Sequence, residues 1–123
     1  MRYVRLLPVI AVLAIILFSG LKPEPVPQMF EQQDKLHHLL GFAALAFSLR
    51  LGFGRTHFGW LLAASLLAAL LIELGQIFLP HRTASMGDML ANILGVLLGA
   101  GCSLALEAWL RARQKKARMY LRP

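Results

Sequence analysis

Apolar residues fall into four long runs separated by short polar punctuation, and the spacing predicts four helices. The first run is Leu6 to Leu21, preceded by Arg2 and Arg5, with Pro8 near its start, where a helix can spare an amide donor. A signal peptide begins in the same way, but no small-x-small cleavage site follows Gly20, so an uncleaved helix is expected. Pro23, Pro25 and Pro27 then make Lys22 to Gln33 a loop. The second run, Leu36 to Leu49, is short for a hydrocarbon core that takes about 20 residues, and borrows from Asp34 at one end and Phe53 at the other. The third runs from Phe58 to Leu79 and the fourth from Met86 to Leu110, with Gly52, Gly54 and Gly59 bracketing one turn and Pro80 closing the third helix.

Composition places these runs in lipid. Of the 123 residues, 58% are hydrophobic and 15% charged, against about 25% charged in a typical soluble domain. The charges gather at the N-terminus, in the three connections and after residue 110. The fold expected is all-α and polytopic, with four transmembrane helices. A single domain covers residues 1–110, and a basic cytoplasmic tail covers 111–123. With both termini inside, Arg2, Arg5, Arg50, Arg55 and six tail residues face the cytoplasm, and Lys22, Lys35 and Arg82 face outward. Ten against three follows the positive-inside bias and supports the weak second span. The net charge of +7 is therefore explained by topology and anionic headgroups, and nucleic acid is not an expected partner. Cys102 stands alone, which excludes an internal disulfide.

In this topology the notable polar side chains meet at the outer face of the bilayer. Asp34, Lys35, His37 and His38 open the second helix. Glu73 and Gln76 lie near the end of the third, His81 and Arg82 in the turn, and Asp88 and Asn92 at the start of the fourth. Asp34 and His38 are four apart, Glu73 and Gln76 three, and Asp88 and Asn92 four, so each pair shares a helix face. A carboxylate at Glu73 costs several kcal/mol facing lipid and is expected to turn inward, with Arg82 or Lys35 as counter-charge. Each residue also has a plainer role open to it. Ser85-x-x-Asp88 is a capping pattern, Asp34 is placed to cap the second helix, and Gln76 and Asn92 suit interhelical hydrogen bonds. His57 belongs to the cytoplasmic turn. Gly95-x-x-x-Gly99, with Gly87, Ala91 and Gly101, forms a small-residue stripe on the fourth helix, suited to close packing or to an oligomer through that face.

The ordered set Asp34-Lys35-Leu36-His37-His38, then Glu73-x-x-Gln76-x-Phe78-x-Pro80-x-Arg82-x-x-Ser85-x-x-Asp88-x-x-x-Asn92-x-x-Gly95-x-x-x-Gly99, resembles the VanZ-like family of bacterial membrane proteins. Phe42 stands where the family often carries a tyrosine. The family's namesake is associated with low-level resistance to the glycopeptide teicoplanin. The resemblance implies a cell-envelope role in the bacterial inner membrane and singles out Asp34, Lys35, His38, Glu73, Gln76, Arg82, Asp88 and Asn92.

Two functions follow as expectations. In the first, an outward-facing pocket binds an anionic lipid headgroup or a lipid-linked cell-wall precursor, with Lys35 and Arg82 meeting the anion. In the second, an intramembrane enzyme acts on a lipid-linked substrate, with Glu73 or His38 as acid or base and Arg82 stabilising developing charge. A third class, a structural or partner-binding subunit, uses the same residues for packing alone. No HExxH-type spacing points to a metal, no cofactor motif is present, and Ser48 and Ser65 lack the setting of a serine nucleophile.

Overall fold

The computed structural model describes residues 3–24 and 27–120; Arg2, Pro25 and Arg122, which carry part of the charge and loop expectations, lie outside them. A short 3-10 turn, Tyr3–Leu6, leads into α1, Leu7–Leu21; α2 spans Gln33–Gly52, α3 Phe58–Ile77 and α4 Met86–Tyr120. No strand occurs among the described residues.

The helix ends follow local chemistry. Pro8 occupies the first turn of α1. The His57 ring accepts the Gly59 amide at 3.1 Å and so caps α3, a job that its place in a turn did not reveal. Ser85 Oγ accepts the Asp88 amide at 3.0 Å, as the capping pattern predicts. Asp34 does not cap α2. Gln32, in the left-handed region at φ 65°, holds the cap position, and Asp34 sits inside the first turn, where its charge suits the helix dipole.

The expectation of four spans is corrected at the level of hydropathy. By length and composition three helices can cross a membrane: Tyr3–Leu21, Phe58–Ile77 and Met86–Tyr120. Helix α2 is not among them, because Asp34, Lys35, His37, His38 and Arg50 dilute its apolar run. Helix α4 continues through the basic residues of the expected tail to Tyr120. Its 35 residues extend about 50 Å, well beyond a hydrocarbon core of about 30 Å.

Polarity is arranged opposite to that of a water-soluble bundle. Leu66, Leu67, Leu70, Leu71 and Leu74 on α3, and Leu90, Leu94, Leu97 and Leu98 on α4, are exposed, while Ser48, Ser65, Glu73, Gln76, Asp88, Asn92 and Ser103 are buried. An apolar exterior around a partly polar interior is the distribution lipid selects. Phe42, Leu45, Ala46, Ala69, Ile72 and Val96 form the core with Ile16.

The tightest junction is between α2 and α4. A Cβ on Gly95 would overlap the Leu39 carbonyl oxygen, and one on Gly99 the Ala43 carbonyl oxygen. Both glycines therefore let the two backbones touch. Leu39 and Ala43 are met in the same order as Gly95 and Gly99, so the helices run parallel. The register extends to the far end, where the Arg50 guanidinium grips Glu107 with two nitrogens, 57 residues apart in sequence. Glu107 also pairs with Arg111 at 3.0 Å. Helix α2 thus occupies the Gly95 and Gly99 part of the small-residue stripe. Gly101, by contrast, faces open space, with nothing within 4 Å of where a methyl group would stand.

The same substitution should thus have opposite signs two residues apart. Gly99→Ala forces backbone atoms apart and is expected to destabilise by at least about 1–3 kcal/mol. Gly101→Ala gains helix propensity, up to about 1 kcal/mol. Thermal unfolding of both variants in detergent checks this; equal shifts would contradict the close crossing.

Candidate functional site

At the end of the bundle where α2 and α4 begin and α3 finishes, three buried or nearly buried side chains form a chain of contacts. Asn92, fully buried, donates from Nδ2 to Glu73 Oε1 at 2.9 Å. Its Oδ1 lies 2.8 Å from His38 Nδ1. His38 Nδ1 is also 3.4 Å from Glu73 Oε1, which places the ring beside the carboxylate as a second neighbour. One residue comes from each of α2, α3 and α4, so the trio forms only when the three helices are in register.

Among the described residues, two buried carboxylate oxygens remain without hydrogen bonds: Glu73 Oε2 and Asp88 Oδ1. Asp88 Oδ1 lies 3.7 Å from Lys35 Nζ, an ion-pair distance that is too long for a hydrogen bond, and Lys35 is equally far from Asp34. The lysine, 37% exposed, thus sits between two acids, one partly exposed and one buried. Among the described residues no group of three or more His, Cys, Asp or Glu side chains converges as metal ligands would.

Arg82 departs from its expected pairing. It does not reach Glu73; its Nε donates to the Lys22 carbonyl at 3.1 Å and its Nη2 to the Ser19 carbonyl at 2.7 Å. Gln76 donates to the Gly20 carbonyl at 2.9 Å. The end of α1 has no basic residue of its own, and these two side chains satisfy carbonyls that the helix leaves unpaired. Glu73 and Gln76 share a face, yet they serve different neighbours: Glu73 binds α4 and α2, and Gln76 binds α1.

A cavity of about 450 Å³ opens beside this network. Its walls are mostly apolar, from Ile15, Ile16, Leu40, Phe42 and Ile72, and its polar residues are Ser19, Gln28, Asp34, His37, His38, Gln76 and Arg82. Of the eight residues singled out by sequence, Asp34, His38, Gln76 and Arg82 line the cavity. Glu73 and Asn92 stand behind His38, and Lys35 and Asp88 form the neighbouring ion pair. His37 joins the lining as well. The Ser48 and Ser65 hydroxyls donate to carbonyls of their own helices, Leu45 and Leu61, and neither residue lines the cavity.

A protein-family model described as VanZ/LLP1 matches residues 5–107, a stretch that includes Asp34, His38, Gln76 and Arg82 of the cavity wall together with Glu73 and Asn92 behind it. No curated protein and no solved structure matches the chain.

Energetic coupling separates the pairing found here from the one the sequence suggested. Glu73 and Asn92 touch, so a double-mutant cycle with Glu73→Gln and Asn92→Ala should give a coupling of about 0.5–3 kcal/mol. Glu73 and Arg82 do not touch, and the corresponding cycle with Arg82→Ala should be additive within about 0.5 kcal/mol. Strong coupling in the second cycle would restore the Glu73–Arg82 ion pair.

Proposed function

The chain belongs to the VanZ/LLP1 family, and on that basis we propose a cell-envelope protein of the bacterial inner membrane that binds an anionic lipid headgroup or lipid-linked cell-wall precursor. The observation that carries this reading is Arg82. Its hydrogen-bond partners are two neutral carbonyls, so among the described residues no acid offsets its charge, and it lines a cavity whose other walls are mostly apolar. A guanidinium held this way has donors left for phosphate or carboxylate. The apolar walls along Ile15 and Leu40, both substantially exposed on the outside of the bundle, suit an acyl or prenyl chain entering from the bilayer. Lys35 is a weaker anion ligand than expected, because Asp34 and Asp88 flank it. Occupancy of this cavity by a cell-wall precursor is how the protein would alter teicoplanin susceptibility.

The same reading keeps four crossings with both termini inside. Helix α2 has 20 residues, about 30 Å of helix, and its polar groups find partners within the bundle: Lys35 with Asp88, His38 with Asn92, Arg50 with Glu107. Low hydropathy therefore does not keep α2 out of the bilayer, since its charges need not face lipid. Reporter fusions at Gly54 and after Tyr120 are expected to read cytoplasmic, and fusions at Gln28 and His81 external; an external signal after Tyr120 would contradict four crossings.

Leu40→Trp places a large ring in the cavity mouth at a half-exposed position, so the fold should tolerate it. Native mass spectrometry from nanodiscs of mixed anionic and zwitterionic lipid should show anionic lipid retained by wild type and lost, on the order of tenfold, by Leu40→Trp. Equal retention by both would count against the cavity as the binding site.

A further inference from the structure

The hydrogen-bond directions around His38 determine which of its nitrogens is free. A glutamate carboxylate only accepts, so Glu73 Oε1 fixes the Asn92 amide with Nδ2 toward it. Asn92 Oδ1 must then face the His38 ring, and it too only accepts. Both groups near Nδ1 are acceptors, with the Asn92 oxygen at 2.8 Å and the Glu73 oxygen at 3.4 Å, so Nδ1 carries the proton. In the neutral ring Nε2 is then the bare, basic nitrogen. Nε2 has no partner among the described residues, and it is not one of the two buried unpartnered side-chain atoms, which are Glu73 Oε2 and Asp88 Oδ1. It is therefore open, on a ring that lines the cavity.

Resting on the lipid-binding reading of that cavity, we infer that Glu73 and Asn92 hold His38 in its Nδ1–H form so that Nε2 accepts a hydrogen bond from a hydroxyl group of the lipid bound there. The ligand class narrows accordingly. Arg82 asks for an anion, while Nε2 and the Asp34 carboxylate, which lines the same cavity, ask for hydrogen-bond donors. A phosphate carrying a polyol, such as a glyceryl or glycosyl phosphate, offers both; a phosphodiester capped by a methyl group or an acyl carboxylate offers no hydroxyl for Nε2. Asn92 is a positioning residue here: it is not part of the cavity wall and acts only through the ring.

The test uses the full chain, labelled with ¹⁵N-histidine, in nanodiscs. Magic-angle-spinning NMR with His38 assigned by comparison with His38→Gln reads which nitrogen bears hydrogen, before any ligand is considered. In zwitterionic nanodiscs the expected result is a protonated Nδ1 and a bare Nε2; a proton on Nε2 overturns the inference. Glu73→Gln supplies a neutral amide that can also donate, which frees the Asn92 amide to turn over, and both tautomers should then be populated. An unchanged single tautomer in that variant would show that Glu73 does not set the amide and would overturn the relay. Nanodiscs containing phosphatidylglycerol, whose head carries hydroxyls, should shift the His38 Nε2 resonance, and those containing phosphatidylmethanol, a monoanionic phosphodiester whose head carries none, should not. Retention of phosphatidylglycerol should exceed that of phosphatidylmethanol by about three- to tenfold, the worth of one hydrogen bond. Anionic lipid retained with no preference and no Nε2 shift rejects the hydroxyl contact while the cavity remains a lipid site. Retention of neither lipid rejects the cavity reading itself and the hydroxyl contact with it.

Discussion

Everything else in this structure depends on how closely α4 approaches α2. In lipid, helices gain little from burying apolar surface against one another, so association rests on packing and on polar contacts. Gly95 and Gly99 supply the packing by letting two parallel backbones meet at Leu39 and Ala43. Once that register is set, the polar side chains of the two helices are forced into facing positions along their length. Lys35 then meets Asp88, His38 meets Asn92, and Arg50 meets Glu107. Neither set of contacts suffices alone. The glycines place no charge, and the charged pairs would be costly in lipid if the helices stood a few ångströms further apart.

The third helix completes the site rather than the clamp. Glu73 reaches across to Asn92 at the level where α2 and α4 already touch, and a buried carboxylate is tolerated because it meets a donor amide and an imidazole there. Helix α1 is attached differently. Its last carbonyls are held by Gln76 from α3 and by Arg82 from the turn beyond it, and the space left between α1 and α2 is the cavity. The residues that tie α1 in place are thus also wall residues of the site, which links the integrity of that corner of the fold to whatever enters it.

Much of this is legible in the chain, and what is not has physical causes. Long, nearly uncharged runs locate α1, α3 and most of α4, and the short second run is found only by extending it into the polar residues that flank it. Same-face spacing groups Asp34 with His38, and Asp88 with Asn92, since a helix places residues four apart on one side whatever its neighbours are. The partner of Arg82 is misjudged from sequence because charge complementarity suggests Glu73, whereas the strongest demand nearby is the unpaired carbonyls ending α1, which no side-chain pattern displays. The Arg50–Glu107 clamp is hidden because its members lie 57 residues apart, and their proximity follows only from the parallel register of α2 and α4. The Gly95 and Gly99 stripe is visible, but not that α2 occupies it. Helix α2 fails a hydropathy criterion for the same reason that it matters: its polar residues are the ones the bundle uses.

The parallel register can be probed by cross-linking in native membranes, in a Cys102→Ser background, with a short bifunctional thiol reagent. Paired substitutions Lys35→Cys with Asp88→Cys, and Arg50→Cys with Glu107→Cys, are expected to link intramolecularly, and the crossed pairs Lys35→Cys with Glu107→Cys and Arg50→Cys with Asp88→Cys are expected to remain unlinked. Efficient linking of the crossed pairs, or of neither matched pair, would contradict the arrangement on which the site depends.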